Sequence, residues 1–463
     1  MPSPDRYAAR RRALAEAVGS GLVLLLGNDP APMNYAANHY RFHQDGSFLY
    51  YTGLDAPGLA LTLDAATGEA TLFGHDPTME DVVWEGPQPP LAERAAAAGI
   101  SRTAPPDALA DAVHQGRAAG QRVHVLPPYR GAQTLRLARL LDVGPDDVKP
   151  SEALVDAVIA QRLVKAPDEI EAMDRAAAIA GEMHRTAMRL AHPGRTEWEI
   201  AGAVEGVALA HGGSLSFPAI VSRRGETLHN HATDYTLQEG DLLLVDAGAH
   251  APYTRYASDI TRTSPVGGRF TTQQRGLYEA VLRSQEAAIA ACRPGASFRD
   301  VHLLSARVLA EGLTELGLMT GDAEEAVAAG AHALFFPHGL GHAIGLDVHD
   351  MEGLGEDRVG YGDEAERSDQ FGLGYLRFAR ALRPGHVVTV EPGAYLIGPL
   401  IDAWKADRKH ADFIDYDALD AWRDVGGVRI EDDVAITEDG HHILGPGIPK
   451  RVEAVEAEVQ AGA

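Results

Sequence analysis

Two segments of this chain read as copies of each other, and both end in an acid. The first is Leu237-Gln-Glu-Gly240-Asp-Leu-Leu-Leu-Val245-Asp246-Ala-Gly248-Ala249. The second is Leu382-Arg-Pro-Gly385-His-Val-Val-Thr-Val390-Glu391-Pro-Gly393-Ala394. Each is a glycine turn, a β-rich apolar run, a carboxylate and then Gly-Ala. Burying a carboxylate is costly, so an acid at the end of a buried strand needs a partner. Two equivalent strands would bring two carboxylates to equivalent positions. That is how a fold with internal symmetry builds a metal site between its halves.

The repeat extends upstream. His192-Pro-Gly-Arg-Thr196-Glu-Trp-Glu199 resembles Arg293-Pro-Gly-Ala-Ser297-Phe-Arg-Asp300. Each follows a helix-like segment, Asp168–Leu190 and Thr272–Ala291. Pro-Gly stops the first helix, and Thr196 or Ser297 caps the next, with an acid three residues on. Lys165-Ala-Pro167-Asp168-Glu169 suits the start of the first helix. Downstream of each acid a second carboxylate sits on a β-like run, at Asp259 and at Glu431. Asp246 and Asp259 are 13 residues apart, whereas Glu391 and Glu431 are 40 apart. The second half therefore carries an insertion, from Gly398 to about Asp424. Three matched pieces in one order point to internal duplication.

The 463 residues are long for one domain and comfortable for two, and 45% hydrophobic content supports a core. A formal net charge of -25 argues against nucleic acid as a partner, which needs a basic footprint. Cys292 is the single cysteine, so no intrachain disulfide forms and a reducing compartment fits. Leu22–Leu26 is too short for a membrane span. A cytoplasmic protein with no membrane partner is expected. Residues 1–155 alternate helix- and strand-like pieces and read as a small α/β domain. Helices are expected at Tyr7–Val18, Leu91–Ala98, Ala108–Gly116 and Ala132–Leu141. Strands are expected at Leu22–Leu26, Leu59–Leu63, Ala70–Phe73 and Val123–Leu126. Leu154–Val164 bridges to the second domain, residues 156–463. Trp84, Trp198, Trp404 and Trp422 read as packing residues.

Between the acid pairs lies Pro337-His338-Gly-Leu-Gly341-His342-Ala-Ile-Gly345-Leu-Asp347-Val-His349-Asp350. Glycines let backbone approach a ligand closely, and imidazole suits a metal or proton transfer. Four carboxylates with one imidazole are too acidic for a structural zinc site. They suit two harder divalent ions, manganese first, with zinc, cobalt or iron as alternatives. Paired ions about 3.5–4 Å apart deprotonate a water and polarise the carbonyl it attacks, which is hydrolytic chemistry.

The motifs Val245-Asp246-Ala-Gly248, Tyr256-Ala-Ser-Asp259-Ile-Thr-Arg262-Thr, His338-Gly-Leu-Gly-His342, Val390-Glu391-Pro-Gly393 and Val428-Arg429-Ile-Glu431 resemble those of the Xaa-Pro aminopeptidase (aminopeptidase P) and prolidase family. Tyr40-Arg41-Phe42-His43-Gln44-Asp45 through Leu54 resembles its N-terminal domain. The resemblance implies an α/β (α+β) chain whose small N-terminal domain precedes a pseudo-two-fold pita-bread catalytic domain. It implies metal ligation by Asp246, Asp259, His342, Glu391 and Glu431. It gives His229 and His349 roles at the reacting carbonyl, and Glu391 a proton-carrying one. His338, Arg377 and Arg429 are candidates for the substrate pocket. Arg429 is equally placed to orient a carboxylate or to form a structural ion pair. Proline-containing peptides are the implied substrates, and a homodimer or homotetramer the implied assembly. Two departures stand out: a longer Asp246–Asp259 connection, and an unusual approach to His229 through Val221-Ser-Arg-Arg224.

Within the family the expectation is cleavage of an N-terminal residue preceding proline. The alternative is a prolidase confined to dipeptides, in which Arg377 would hold the free carboxylate. A metal-free binding protein on the same fold is the rival of another class; all five ligand types being present argues against it.

Overall fold

The structure, a computed structural model, describes residues 3–462. It divides into two units. One runs to Arg162 and includes Met351–Arg358; the other is Leu163–Asp350 with the chain from Val359 onward. The division falls at Arg162, at the end of the helix Glu152–Leu163. Among the described residues no helix is long and apolar enough to cross a membrane.

The first unit carries β1 (Leu22–Leu26), the short hairpin β2 (Pro32–Tyr35) and β3 (Asn38–His39), then β4 (Ala60–Asp64), β5 (Ala70–Phe73), β6 (Arg102–Ala104) and β7 (Val123–His124). Five of them form a sheet in the order β6-β5-β4-β1-β7. β1 lies inside it, antiparallel to β4 and parallel to β7, and all five of its residues are buried. An unbroken apolar run is the sequence of a strand covered on both faces. Leu24, Phe73, Leu109, Val113 and Leu137 pack the core on one side. The four expected helices form, at Pro4–Val18, Leu91–Ala97, Ala108–Ala118 and Gly131–Leu141. Gly46–Thr52 is a further helix, capped by Asp45, whose side chain accepts from the Phe48 N–H. All seven of its residues are buried, so it shows no amphipathic period. Of the tryptophans, Trp404 and Trp422 are packed, but Trp84 and Trp198 are exposed.

The second unit has the two expected halves. The first runs through the helices Pro167–Leu190 and Glu197–Ala210, then β8 (Ile220–Ser222), β9 (Leu242–Asp246) and β10 (Thr261–Pro265). The second runs through Thr272–Ala291 and Phe298–Glu315, then β11 (Val387–Val390), β12 (Gly393–Tyr395), β13 (Gly427–Arg429), β14 (Asp432–Ile436) and β15 (His441–Ile443). Thr196 and Ser297 both cap, accepting from the N–H of Glu199 and Asp300. After each Pro-Gly turn the glycine N–H reaches the same place: Gly194 donates to Leu237 O at 2.9 Å, and Gly295 to Leu382 O at 2.8 Å. Both glycines are left-handed, at φ 90° and 81°. The insertion is the helical stretch between β12 and β13, including Gly398–Ala406 and Tyr416–Leu419.

Strand register refines the repeat. β9 pairs with β10 so that Asp246 faces Thr261; β11 pairs with β14 so that Val390 faces Asp432. Asp246 and Glu391 therefore occupy equivalent strand ends. Asp259 and Glu431 do not match: by ladder position Glu431 corresponds to Thr261, two residues beyond Asp259. The halves meet where these segments cross. Arg429 N–H donates to Thr263 Oγ1, Thr263 Oγ1–H to Arg429 O, and Glu431 N–H to Thr261 O. Behind the crossing Arg262 pairs with Asp432 at 2.6 Å, both buried, and Lys450 holds the second oxygen at 2.8 Å. Burial pushes Asp432 up, but Arg262 and Lys450 outweigh it and hold the carboxyl at about 2.

Candidate metal centre

Several backbone segments converge on one cavity of about 630 Å³. β9 delivers Asp246 at its C-terminal end, and the start of β10 delivers Asp259. β11 delivers Glu391, and the approach to β14 delivers Glu431. The histidine segment runs along the free edge of β11: Thr389 N–H donates to His342 O, His342 N–H to Thr389 Oγ1, and Glu391 N–H to Leu340 O. A Cβ at Gly341 would collide with the Thr389 carbonyl, so only glycine allows this approach. His342 is thereby set beside Glu391 by main-chain bonding.

Ligand atoms of Asp259, His342 and Glu431 all lie within 4.8 Å of one another, and all three residues are buried. His342 Nε2 is 3.4 Å from Asp259 Oδ2 and 3.8 Å from Glu391 Oε1. Its Nδ1 lies 3.1 Å from the Ala343 carbonyl. Donation there leaves the Nε2 lone pair facing the carboxylates, the tautomer of a metal-binding imidazole. Burial drives His342 well below its ordinary value, so it is neutral. Asp259 is raised well above the carboxylate range by burial and then by Glu431 and Asp246. Glu431 is raised by burial and by Glu391 and Asp246. Burial also pushes Glu391 to about 8 against the pull of Arg429. Asp246 Oδ1 is buried with no hydrogen-bond partner. Such acids, beside a neutral imidazole with an inward lone pair, fit divalent cations.

Arg429 stands behind this cluster, buried. Its Nη2 donates to Asp246 Oδ2 at 2.7 Å, Nη1 to the Tyr395 hydroxyl at 3.0 Å and Nε to Thr261 Oγ1 at 3.1 Å. The Nη2 donor makes a buried ion pair with Asp246. Thr261 in turn donates to Glu431 Oε2 at 2.6 Å. His338 lines the cavity, but Nε2 meets the Tyr395 hydroxyl and Nδ1 the Gly339 carbonyl, both at 2.8 Å. Its ring nitrogens are thus engaged within the protein. His229, His349 and Arg377 also line the cavity, and the His349 ring lies 4.1 Å from that of His342.

Thr261 and Tyr395 were not anticipated. Thr261 was legible, because it lies two residues after Asp259 and strand alternation puts both on one face. Tyr395 carries no such signal. In the Asp246–Asp259 connection Ser258 N–H donates to Ala249 O, and Tyr253 is exposed.

Relatives carry the same architecture. The model of Metallopeptidase family M24 matches residues 171–438, and that of the Aminopeptidase P N-terminal domain matches residues 7–125. The chain is 33% identical to a Homo sapiens Xaa-Pro dipeptidase, covering 97% of this chain and 92% of the relative. It is 32% identical to the Escherichia coli Xaa-Pro aminopeptidase, covering 98% and 97%. Among solved structures, Pseudomonas aeruginosa aminopeptidase PepP superposes with a TM-score of 0.81 at 31% identity, covering 100% of this chain and 99% of that one. With the family model spanning more than half its length and its acids and histidine gathered at one cavity, this chain belongs to metallopeptidase family M24.

Proposed function

We propose that the protein is an Xaa-Pro exopeptidase that hydrolyses the bond between an N-terminal residue and a following proline. The observation that carries this is the convergence of Asp259, His342 and Glu431 in a cavity that Asp246 and Glu391 also line. The names of the relatives supply the substrate class. Asp246, Asp259, His342, Glu391 and Glu431 would hold two divalent ions, manganese by their oxygen-rich donor set. When bound, such ions acidify a water and polarise the carbonyl under attack.

The remaining work falls to the chain. Arg429 and Thr261 hold Asp246 and Glu431 in fixed orientation. His229 and His349 face the cavity and would position the scissile carbonyl and steady the charge developing on its oxygen. Glu391 would carry a proton to the leaving nitrogen. That nitrogen has no hydrogen in an Xaa-Pro bond, so the pocket cannot demand a donor there. His338 supports the wall through Tyr395.

One observation favours the narrower, dipeptide-only reading: Arg377 lines the cavity, where a guanidinium can pair with the carboxylate of a C-terminal proline. Turnover of an Xaa-Pro dipeptide beside an Xaa-Pro-Xaa tripeptide, with and without manganese, tests both. Hydrolysis of neither in manganese-loaded protein would refute the proposal. Hydrolysis of the dipeptide alone would select the narrower reading.

A further inference from the structure

Next to His349 lies a buried ion pair that the chemistry above does not use. Lys165 Nζ is 2.8 Å from Asp350 Oδ2, and each side chain is only 1% exposed. A buried pair is costly to assemble and strongly destabilising to break, so its position calls for a reason. Asp350 closes the turn that carries His349. Its N–H donates to the Ala343 carbonyl at 2.9 Å, and its Oδ1 accepts from the Asp347 N–H at 3.4 Å. Gly345 makes room for the carboxylate: a Cβ there would lie 2.5 Å from Asp350 Oδ2. On the other side, Lys165 N–H donates to the Gly385 carbonyl at 2.7 Å, in the turn that leads into β11 and Glu391. One lysine thus ties the turn bearing His349 to the root of the strand bearing Glu391.

We propose that Lys165 is a positioning residue for His349, acting through Asp350. The ammonium fixes the Asp350 carboxylate, the carboxylate fixes the 343–350 turn, and the turn sets the ring against His342. This deepens the proposed function and rests on the reading that His349 contacts substrate.

The test compares Lys165→Met, His349→Ala and the double variant on an Xaa-Pro dipeptide. All are manganese-loaded, with folding checked by melting and metal content by elemental analysis. Lys165→Met should lower kcat/KM roughly ten-fold, as displacement of a contact group does. It should divide that loss between kcat and KM as His349→Ala does. Added to His349→Ala, it should cost nothing further. Wild-type kcat/KM in Lys165→Met, or losses that multiply in the double variant, would overturn the proposal. Should Lys165→Met fail to fold, Lys165→Met/Asp350→Asn strands no buried charge and carries the same expectations. A failure of the His349 reading shows separately, as His349→Ala turning over like wild type. The His349 imidazole resonances of the metal-free proteins then test positioning alone: they should shift in Lys165→Met, and unmoved resonances overturn it.

Discussion

Single side chains here divide into those that meet the cavity and those that hold the ones that do. Glu391 belongs to the first kind, and its equivalence to Asp246 in the strand register leaves no spare acid to replace it. Glu391→Ala should leave the metal-free protein folded, melting no lower than wild type, while lowering kcat roughly 10²–10⁴-fold. Near-normal kcat in a folded, metal-loaded variant would refute its role. Arg377 is the residue on which the proposed substrate length turns. If its guanidinium holds a terminal carboxylate, Arg377→Ala should cost about 1 kcal/mol or more in transition-state binding on a dipeptide, and little on a tripeptide. Equal losses on both would make it structural. Arg429 is of both kinds: it lines the cavity and all three of its nitrogens face protein groups, so its variants should lose metal affinity along with turnover.

At the scale of elements, the histidine segment is shaped from below by the helix Phe298–Glu315. His302 on that helix accepts the Leu340 N–H at 3.1 Å, and its ring lies 6.4 Å from that of His332. Burial pushes His302 to about 3 and His332 to about 4. Both are neutral in the fold, whereas in the unfolded chain they take a proton near 6.5. Below that pH the unfolded state binds more protons, so their contribution is intact above about 6.5 and is lost as pH falls toward the folded values. The loss approaches about 1.4 kcal/mol per pH unit for each ring. Neither His332 nitrogen has a hydrogen-bond partner, so His332→Leu removes no bond. Between pH 6.5 and 5, chemical denaturation of the metal-free variant should therefore show a loss about 2 kcal/mol smaller than wild type's. Parallel curves would show that the ring is not held neutral. Such pairs were not legible in sequence, because a buried histidine and a solvated one read alike. What was legible followed a period or a cap: Thr196 and Ser297, the apolar run of β1, the two acid-bearing strand ends. Gly46–Thr52, buried on every side, gave no period to read. The offset between Asp259 and Glu431 needed the ladder register, which a gap filled by an insertion conceals.

For the molecule as a whole, the site is where two halves of one repeat meet, so its electrostatics bear on the stability of the entire second unit. Asp246, Asp259, Glu391 and Glu431 converge with Arg429 as the cation among them. Three of these acids are displaced upward by burial and by one another, a strain that a bound cation relieves. Counting formal charges, four carboxylates and one guanidinium leave three negative charges. One divalent ion leaves one negative charge and two leave one positive charge, so charge alone does not set the number. Five donor residues at one cavity are what favour two ions. A ligand that binds the native state alone stabilises it by about 2.7 kcal/mol at a hundred-fold excess over Kd. Removing metal with a chelator should therefore lower the melting temperature, and manganese titrated back should restore it with an end point near two ions per chain. The Asp259→Asn/Glu431→Gln variant relieves the same repulsion covalently and keeps the Arg429–Asp246 pair. Its metal-free form should melt above metal-free wild type and gain little from manganese. An end point at one ion in active protein would sink the two-metal reading, and a melting temperature indifferent to chelation would sink the claim that the halves are held together by what they bind.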